Sequence, residues 1–153
     1  MSLIREMANQ LEIHLRQKSR SSSEATLRQH RVLVDRPTAK GGEDTGPMGG
    51  ELFLASIGGC FMSTLLAAIR SREAPISGVS LRVTGTMADA PARFTGIELL
   101  AAAEDADPDT FEKLVDIAER GCIMMNTLRD KLGITVGVGK FAAANARGSE
   151  ANR

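Results

Sequence analysis

The stretch from Glu51 to Arg70 constrains this chain more than any other. It reads as a single helix, and its apolar residues wrap most of the way round instead of lining one stripe, so it has to be buried on several sides. A chain of 153 residues hardly encloses such a helix alone, which makes the core of a dimer its natural place. The apolar-rich run from Leu52 to Ile69 is interrupted by Ser56, Gly58, Gly59, Ser63 and Thr64. It therefore reads as a buried helix, and no run is expected to approach the length of a bilayer span.

The rest of the pattern alternates between strand and helix periods. Leu11, Ile13 and Leu15 alternate with polar residues as in a half-buried strand, which points His14 outward; His30 is left open. Arg20 and the serines after it make a turn, and Ala25 to Asp35 reads as a second strand ending in Val32, Leu33 and Val34. The segment from Arg36 to Gly50 is a Gly/Pro-rich loop. Val79, Leu81 and Val83, then Phe94, Ile97 and Leu99, form a pair linked by a turn at Ala90-Pro91-Ala92, read as an antiparallel hairpin. A second helix has an N-cap at Asp107, a first-turn proline at Pro108 and a C′ glycine at Gly133. Phe111, Leu114, Ala118, Cys122, Met125 and Leu128 lie on one stripe of it. Ile134, Val136 and Val138 make a last strand. The expected fold is α+β, with a largely antiparallel sheet and two main helices, in one domain over residues 1–153 with mobile ends at 1–9 and 142–153.

Composition removes several function classes. Lys plus Arg balances Asp plus Glu at 19 each, and there is no Trp or Tyr. A chain with no net charge and few stacking platforms offers nucleic acid little. No signal peptide is read at the N-terminus, so the cytoplasm is the expected compartment and no membrane partner is expected. Two Cys and two His do not have the spacing of a zinc site, and no glycine-rich nucleotide motif is present. No metal and no cofactor are expected.

The chemistry-bearing residues are then Cys60 and Cys122. Two cysteines in a cytosolic chain are rarely a structural staple; they are buried small hydrophobes or redox-active thiols. Cys60 sits well inside its helix, so the helix dipole is not its main activator. Gly58 and Gly59 precede it, and two glycines inside a helix cost roughly 1 kcal/mol each against alanine. That cost calls for a compensating close approach, of a neighbouring element or of a substrate.

Two stretches resemble the OsmC/Ohr family (osmotically inducible protein C and organic hydroperoxide resistance protein). The first runs from Gly41 through Gly46-Pro47-Met48-Gly49-Gly50-Glu51-Leu52 to Gly58-Gly59-Cys60. The second is Ala118-Glu119-Arg120-Gly121-Cys122 with Asn126, Thr127 and Leu128. The two cysteines are 62 positions apart, which suits the family, and the likeness covers roughly residues 11–138. It implies an OsmC-like α+β subunit in an intertwined homodimer. It further implies that Cys60 attacks an organic hydroperoxide and becomes a sulfenic acid. Cys122 then forms a disulfide with it, and a small dithiol such as dihydrolipoamide regenerates the pair.

Peroxidases of that family use an arginine from the N-terminal strand region, oriented by a glutamate ten residues before the first cysteine. Here that position is Gly50 and the acid is Glu51, in the manner of the OsmC-like subgroup with a G-P-x-x-x-E-L loop. Arg20 is nearest to the family's arginine, with Arg16, Arg28 and Arg36 as alternatives. Asn126 and Thr127 are either polar neighbours of the site or ordinary helix residues. The alternative function is an OsmC-like dimer that binds a small apolar ligand, or senses oxidation, without efficient turnover.

Overall fold

The computed structural model describes residues 10–142, so the expectation of mobile ends at 1–9 and 142–153 lies, but for Ala142, outside the described residues. Two compact units divide the chain between Phe53 and Leu54.

In the first unit, β1 (His14–Gln17), β2 (Ser23–Leu27) and β3 (His30–Val34) form an antiparallel sheet in that order. The single strand expected over 25–35 is in fact most of a hairpin. Arg28 takes φ 56° and turns the chain back, so that Leu27 pairs with His30 and Ser23 with Val34. No Gly, Asn or Asp marks the turn, which hides it from a sequence reading. Leu11, Ile13 and Leu15 are exposed, not half-buried; alternation says which residues share a face, not that anything covers it. His14 is exposed as expected, and so is His30. After β3 a 3-10 turn at Thr38–Lys40 leads into the glycine loop. Gly41 takes φ 83°, and a side chain on Gly42 would run into the Arg36 carbonyl. Both positions therefore require glycine.

The long helix, α1 (Gly49–Ser71), matches the expected position. By length and composition it is apolar enough to cross a bilayer, which corrects the expectation that no run approaches that length. Its Ile57, Phe61 and Leu65 are fully buried, but only about a third of the run is buried within the chain, so one face of it packs on the core.

The second unit is built on a sheet ordered β4-β5-β6. β4 (Ser80–Asp89) and β5 (Ala92–Ala102) form the expected antiparallel hairpin. β6 (Gly133–Val138) runs parallel to β5, so the sheet is mixed and not simply antiparallel. The period-2 pattern holds on one face: Ile97, Leu99 and Ala101 are buried. A side chain on Gly58 would come within 2.8 Å of Val83 Cγ2, which places α1 tightly against β4. Gly58 thus has the close approach that its helical cost calls for, while nothing lies within 4 Å of the corresponding point on Gly59.

The second expected helix is real but shorter. α2 (Pro108–Gly121) starts as read, with the Asp107 carboxylate accepting the Thr110 N–H at 2.9 Å. It stops at Gly121, and a short α3 (Ile123–Leu128) follows. Gly133 is therefore the first residue of β6, not a helix C′. Cys122 stands in the break with an extended backbone, φ −80° and ψ 124°. Phe111, Leu114, Ala118, Cys122 and Met125 are all buried. The apolar stripe is right, but bending at Gly121, a poor helix former, is what keeps both halves of it in the core.

Candidate active site

α1 carries Cys60, partly buried, and the break between α2 and α3 carries Cys122, fully buried. The Cys122 thiol points at Cys60, with the two Sγ atoms 3.4 Å apart and both thiols free. A disulfide would need an approach of about 1.4 Å more. The helices can come this close because residue 121 is glycine: a Cβ there would stand 3.3 Å from the Thr64 methyl. Thr64 itself is held by its hydroxyl bond to the Cys60 carbonyl, 3.0 Å.

The break that presents Cys122 is secured by groups the sequence left undecided. The Asn126 amide donates to the Arg120 carbonyl at 3.2 Å, and Arg129 donates to the Glu119 carbonyl at 3.4 Å. These are carbonyls at the end of α2 that have lost their helical donors. Asn126 thus staples α3 back onto α2 across Cys122. Thr127 bonds its own helix at Ile123 O, 2.7 Å, and is an ordinary helix residue.

Burial pushes the Cys122 thiol above its ordinary range, and the neighbouring Cys60 adds to this; the Met125 and Met124 N–H groups pull the other way without reversing it. At neutral pH Cys122 is therefore a neutral thiol. A neutral thiol beside a second sulfur can trap an oxidised partner.

The other expected site residues belong to the first unit. Glu51 Oε1 accepts the Met48 N–H at 2.9 Å, and the Met48 carbonyl accepts the first helical bond from Leu52. That is the glutamate half of a capping box, so the carboxylate serves the start of α1 here. Arg20 lies on the exposed turn between β1 and β2, with Nη1 3.5 Å from the Gly41 carbonyl. Arg16 is on β1, Arg28 in the β2–β3 turn, and Arg36 just after β3. Among the described residues, no three His, Cys, Asp or Glu side chains cluster closely enough to hold a metal ion.

Sequence reasoning missed Asp35. It is buried and accepts the Arg36, Glu43 and Thr45 N–H groups and the Thr45 hydroxyl. Burial alone would raise its pKa, but the bonds from Thr45 and Arg36 outweigh it and hold the carboxyl well below the usual range. The available signal was an acid directly after three apolar strand residues and before a glycine loop, a place where loop N–H groups need an acceptor.

In this α+β chain two free thiols face each other, one on α1 and one in the break between α2 and α3, and the sequence says which family it comes from. The profile of the OsmC-like protein family matches residues 41–137, so the chain belongs to that family. Its fold resembles a hypothetical protein from Aquifex aeolicus VF5, with a TM-score of 0.74 and 14% identity, over 88% of this chain and 99% of that one. It also resembles an organic hydroperoxide resistance protein OsmC from Legionella pneumophila, TM-score 0.67 and 20% identity, over 86% and 97%. A third likeness is to the organic hydroperoxide resistance protein OhrB of Bacillus subtilis, TM-score 0.62 and 18% identity, over 86% and 99%. No curated protein sequence matches the chain.

Proposed function

We propose that this chain is a thiol-dependent peroxidase that reduces organic hydroperoxides. The observation that carries the reading is the pair of free sulfurs at 3.4 Å in a chain of the OsmC-like family; the Legionella and Bacillus proteins of like fold bear organic hydroperoxide resistance names. The Cys60 thiolate attacks the terminal peroxide oxygen, the O–O bond breaks, and the alcohol leaves with a proton. Cys60 is then a sulfenic acid. The Cys122 sulfur attacks the Cys60 sulfur, water leaves, and a disulfide forms. A small dithiol of the dihydrolipoamide kind reduces it by thiol–disulfide exchange and is itself oxidised to its cyclic disulfide. Arg20 is the cation proposed to favour the Cys60 thiolate, and Glu51 supplies the acid of the motif at the start of α1.

The working form is proposed to be a cytoplasmic homodimer. Leu11, Ile13, Leu15, Leu66 and Ile123 are exposed in the single chain, and a second copy offers them cover.

The test is steady-state loss of cumene hydroperoxide with dihydrolipoamide. The wild type turns over, Cys60→Ser does not, and Cys122→Ser consumes about one equivalent per chain before stalling. Equal, slow loss with wild type and Cys60→Ser rules the enzyme reading out.

One observation favours a second reading. An open, apolar groove of about 400 Å³ runs beside α1, lined by Leu54, Ala55, Gly58, Gly59, Met62, Leu81 and Val83. A dimer that binds a small apolar ligand there, or registers oxidation through a reversible disulfide, would show a retained ligand or that disulfide with negligible steady-state turnover.

A further inference from the structure

The acid that a peroxidase of this kind would use to orient its arginine is missing at Gly50, and Glu51 is occupied with the start of α1. The first unit nevertheless holds the turn of Arg20 through another carboxylate. Glu43 Oε1 accepts the Ser19 hydroxyl at 2.9 Å and the Ser21 hydroxyl at 3.3 Å. These are the two residues on either side of Arg20. The Ser19 oxygen in turn accepts the Ser22 N–H at 3.1 Å and the Ser21 N–H at 3.3 Å. The Ser19 hydroxyl also lies 2.7 Å from the hydroxyl of the buried Ser22, a contact in which either can donate.

Glu43 is itself anchored. Its N–H donates to Asp35 Oδ2 at 3.3 Å, beside the Thr45 N–H and hydroxyl on the same oxygen. The buried Asp35 thus fixes the loop, the loop presents Glu43, and Glu43 fixes the turn. Arg20 reaches back to Gly41 O on that loop, at a glycine whose φ of 83° suits no other residue well. Among the described residues, Arg20 makes no ion pair with Asp35 or Glu43, so Glu43 acts on the turn and not on the guanidinium itself.

We propose that Glu43 is a positioning residue for Arg20, holding the Arg20 turn through the Ser19 and Ser21 hydroxyls where an acid at position 50 would have held the arginine directly. This rests on the reading that Arg20 serves Cys60 in the assembled protein. It assigns Glu43 no contact with substrate.

The test follows Cys60 itself, so that it does not depend on turnover. Fully reduced protein is treated with iodoacetamide at pH 7, and alkylation of the Cys60 peptide is timed by mass spectrometry in wild type, Arg20→Ala, Glu43→Ala, Glu43→Gln and the Arg20→Ala/Glu43→Ala double variant. A nearby cation favours the thiolate, so its loss is expected to slow alkylation by up to about tenfold. Arg20→Ala and Glu43→Ala are each expected to slow Cys60 by up to that factor. Glu43→Gln, whose amide oxygen still accepts from the serines, restores most of the rate. In the double variant Glu43→Ala adds nothing, because its route to Cys60 is gone.

A wild-type rate in Glu43→Ala, or effects that multiply in the double variant, overturns the proposal. If Arg20→Ala leaves Cys60 unaffected, Arg20 is not its partner and the proposal falls with it. If the cycle comes out as expected while the wild type shows no peroxidase turnover, Glu43 keeps its role and the enzyme reading fails alone.

Discussion

Replacing Gly58 by alanine tests the contact that places the cysteine helix on its sheet. In a bare helix the change is favourable by about 1 kcal/mol. Here the new Cβ would stand 2.8 Å from Val83 Cγ2, about 1 Å inside an ordinary carbon contact. Val83 has little freedom to yield: it is β-branched, which restricts its χ1, and its backbone is paired to Leu99 in the antiparallel ladder. Overpacking of this kind costs about 1–3 kcal/mol. The net effect is a destabilisation of about 1 kcal/mol, or a fall in Tm of roughly 3 °C for a chain of this size.

The decisive arm is the same change in a Val83→Ala background. The offending methyl is then absent, and the nearest remaining neighbours, Leu81 Cδ2 at 3.5 Å and the residue 83 Cβ at 4.0 Å, are at ordinary contact. Gly58→Ala should now stabilise by up to about 1 kcal/mol, a coupling of roughly 2 kcal/mol between touching residues. Urea unfolding followed by far-UV circular dichroism suits a chain with no Trp or Tyr. Equal destabilisation in both backgrounds would refute the reasoning, because the cost would then come from something other than α1 against β4.

Three further outcomes are expected. Asn126→Ala leaves the Arg120 carbonyl without its donor; it should cost no more than about 1 kcal/mol yet slow disulfide formation in peroxide-treated protein, and an unchanged rate would show that the staple does not hold Cys122. The folded chain holds the Cys122 proton more tightly than the unfolded chain, so that part of its stability is complete below about pH 8.5 and is lost as pH rises towards the raised folded value. The urea midpoint should therefore fall over the alkaline range in wild type and more shallowly in Cys122→Ala; parallel slopes would contradict the buried neutral thiol. Asp35 works in the opposite sense: its lowered pKa gives stability that is present above about pH 4 and is lost as pH falls towards the folded value. Asp35→Asn should be less stable than wild type at pH 7, with the gap narrowing as pH falls below about 4, and a gap as large at pH 2 as at pH 7 would mean the charge is not what matters.

Much of this was determined by sequence alone, wherever the signal is local. Pro108 after Asp107 starts α2 because a cap and a missing N–H act within one turn. The alternation in β4 and β5 marks their buried face because the pleat repeats every two residues. The apolar run from Leu52 to Ile69 locates α1 for the same kind of reason, and the two cysteine motifs identify the family. Tertiary structure decided what those signals leave free. Nothing local says that β6 lies parallel to β5, because strand direction depends on where the chain returns. The break at Cys122 satisfies Gly121's poor helicity, the core's demand for both Cys122 and Met125, and the Asn126 and Arg129 bonds together, and none of these alone predicts it. The burial of Asp35 and the grip of Glu43 on the Arg20 turn join residues 8 to 24 positions apart. The meeting of Cys60 with Cys122 joins residues 62 positions apart. Contacts at such separations are made by packing, and residue types supply only the chemistry that packing then brings together.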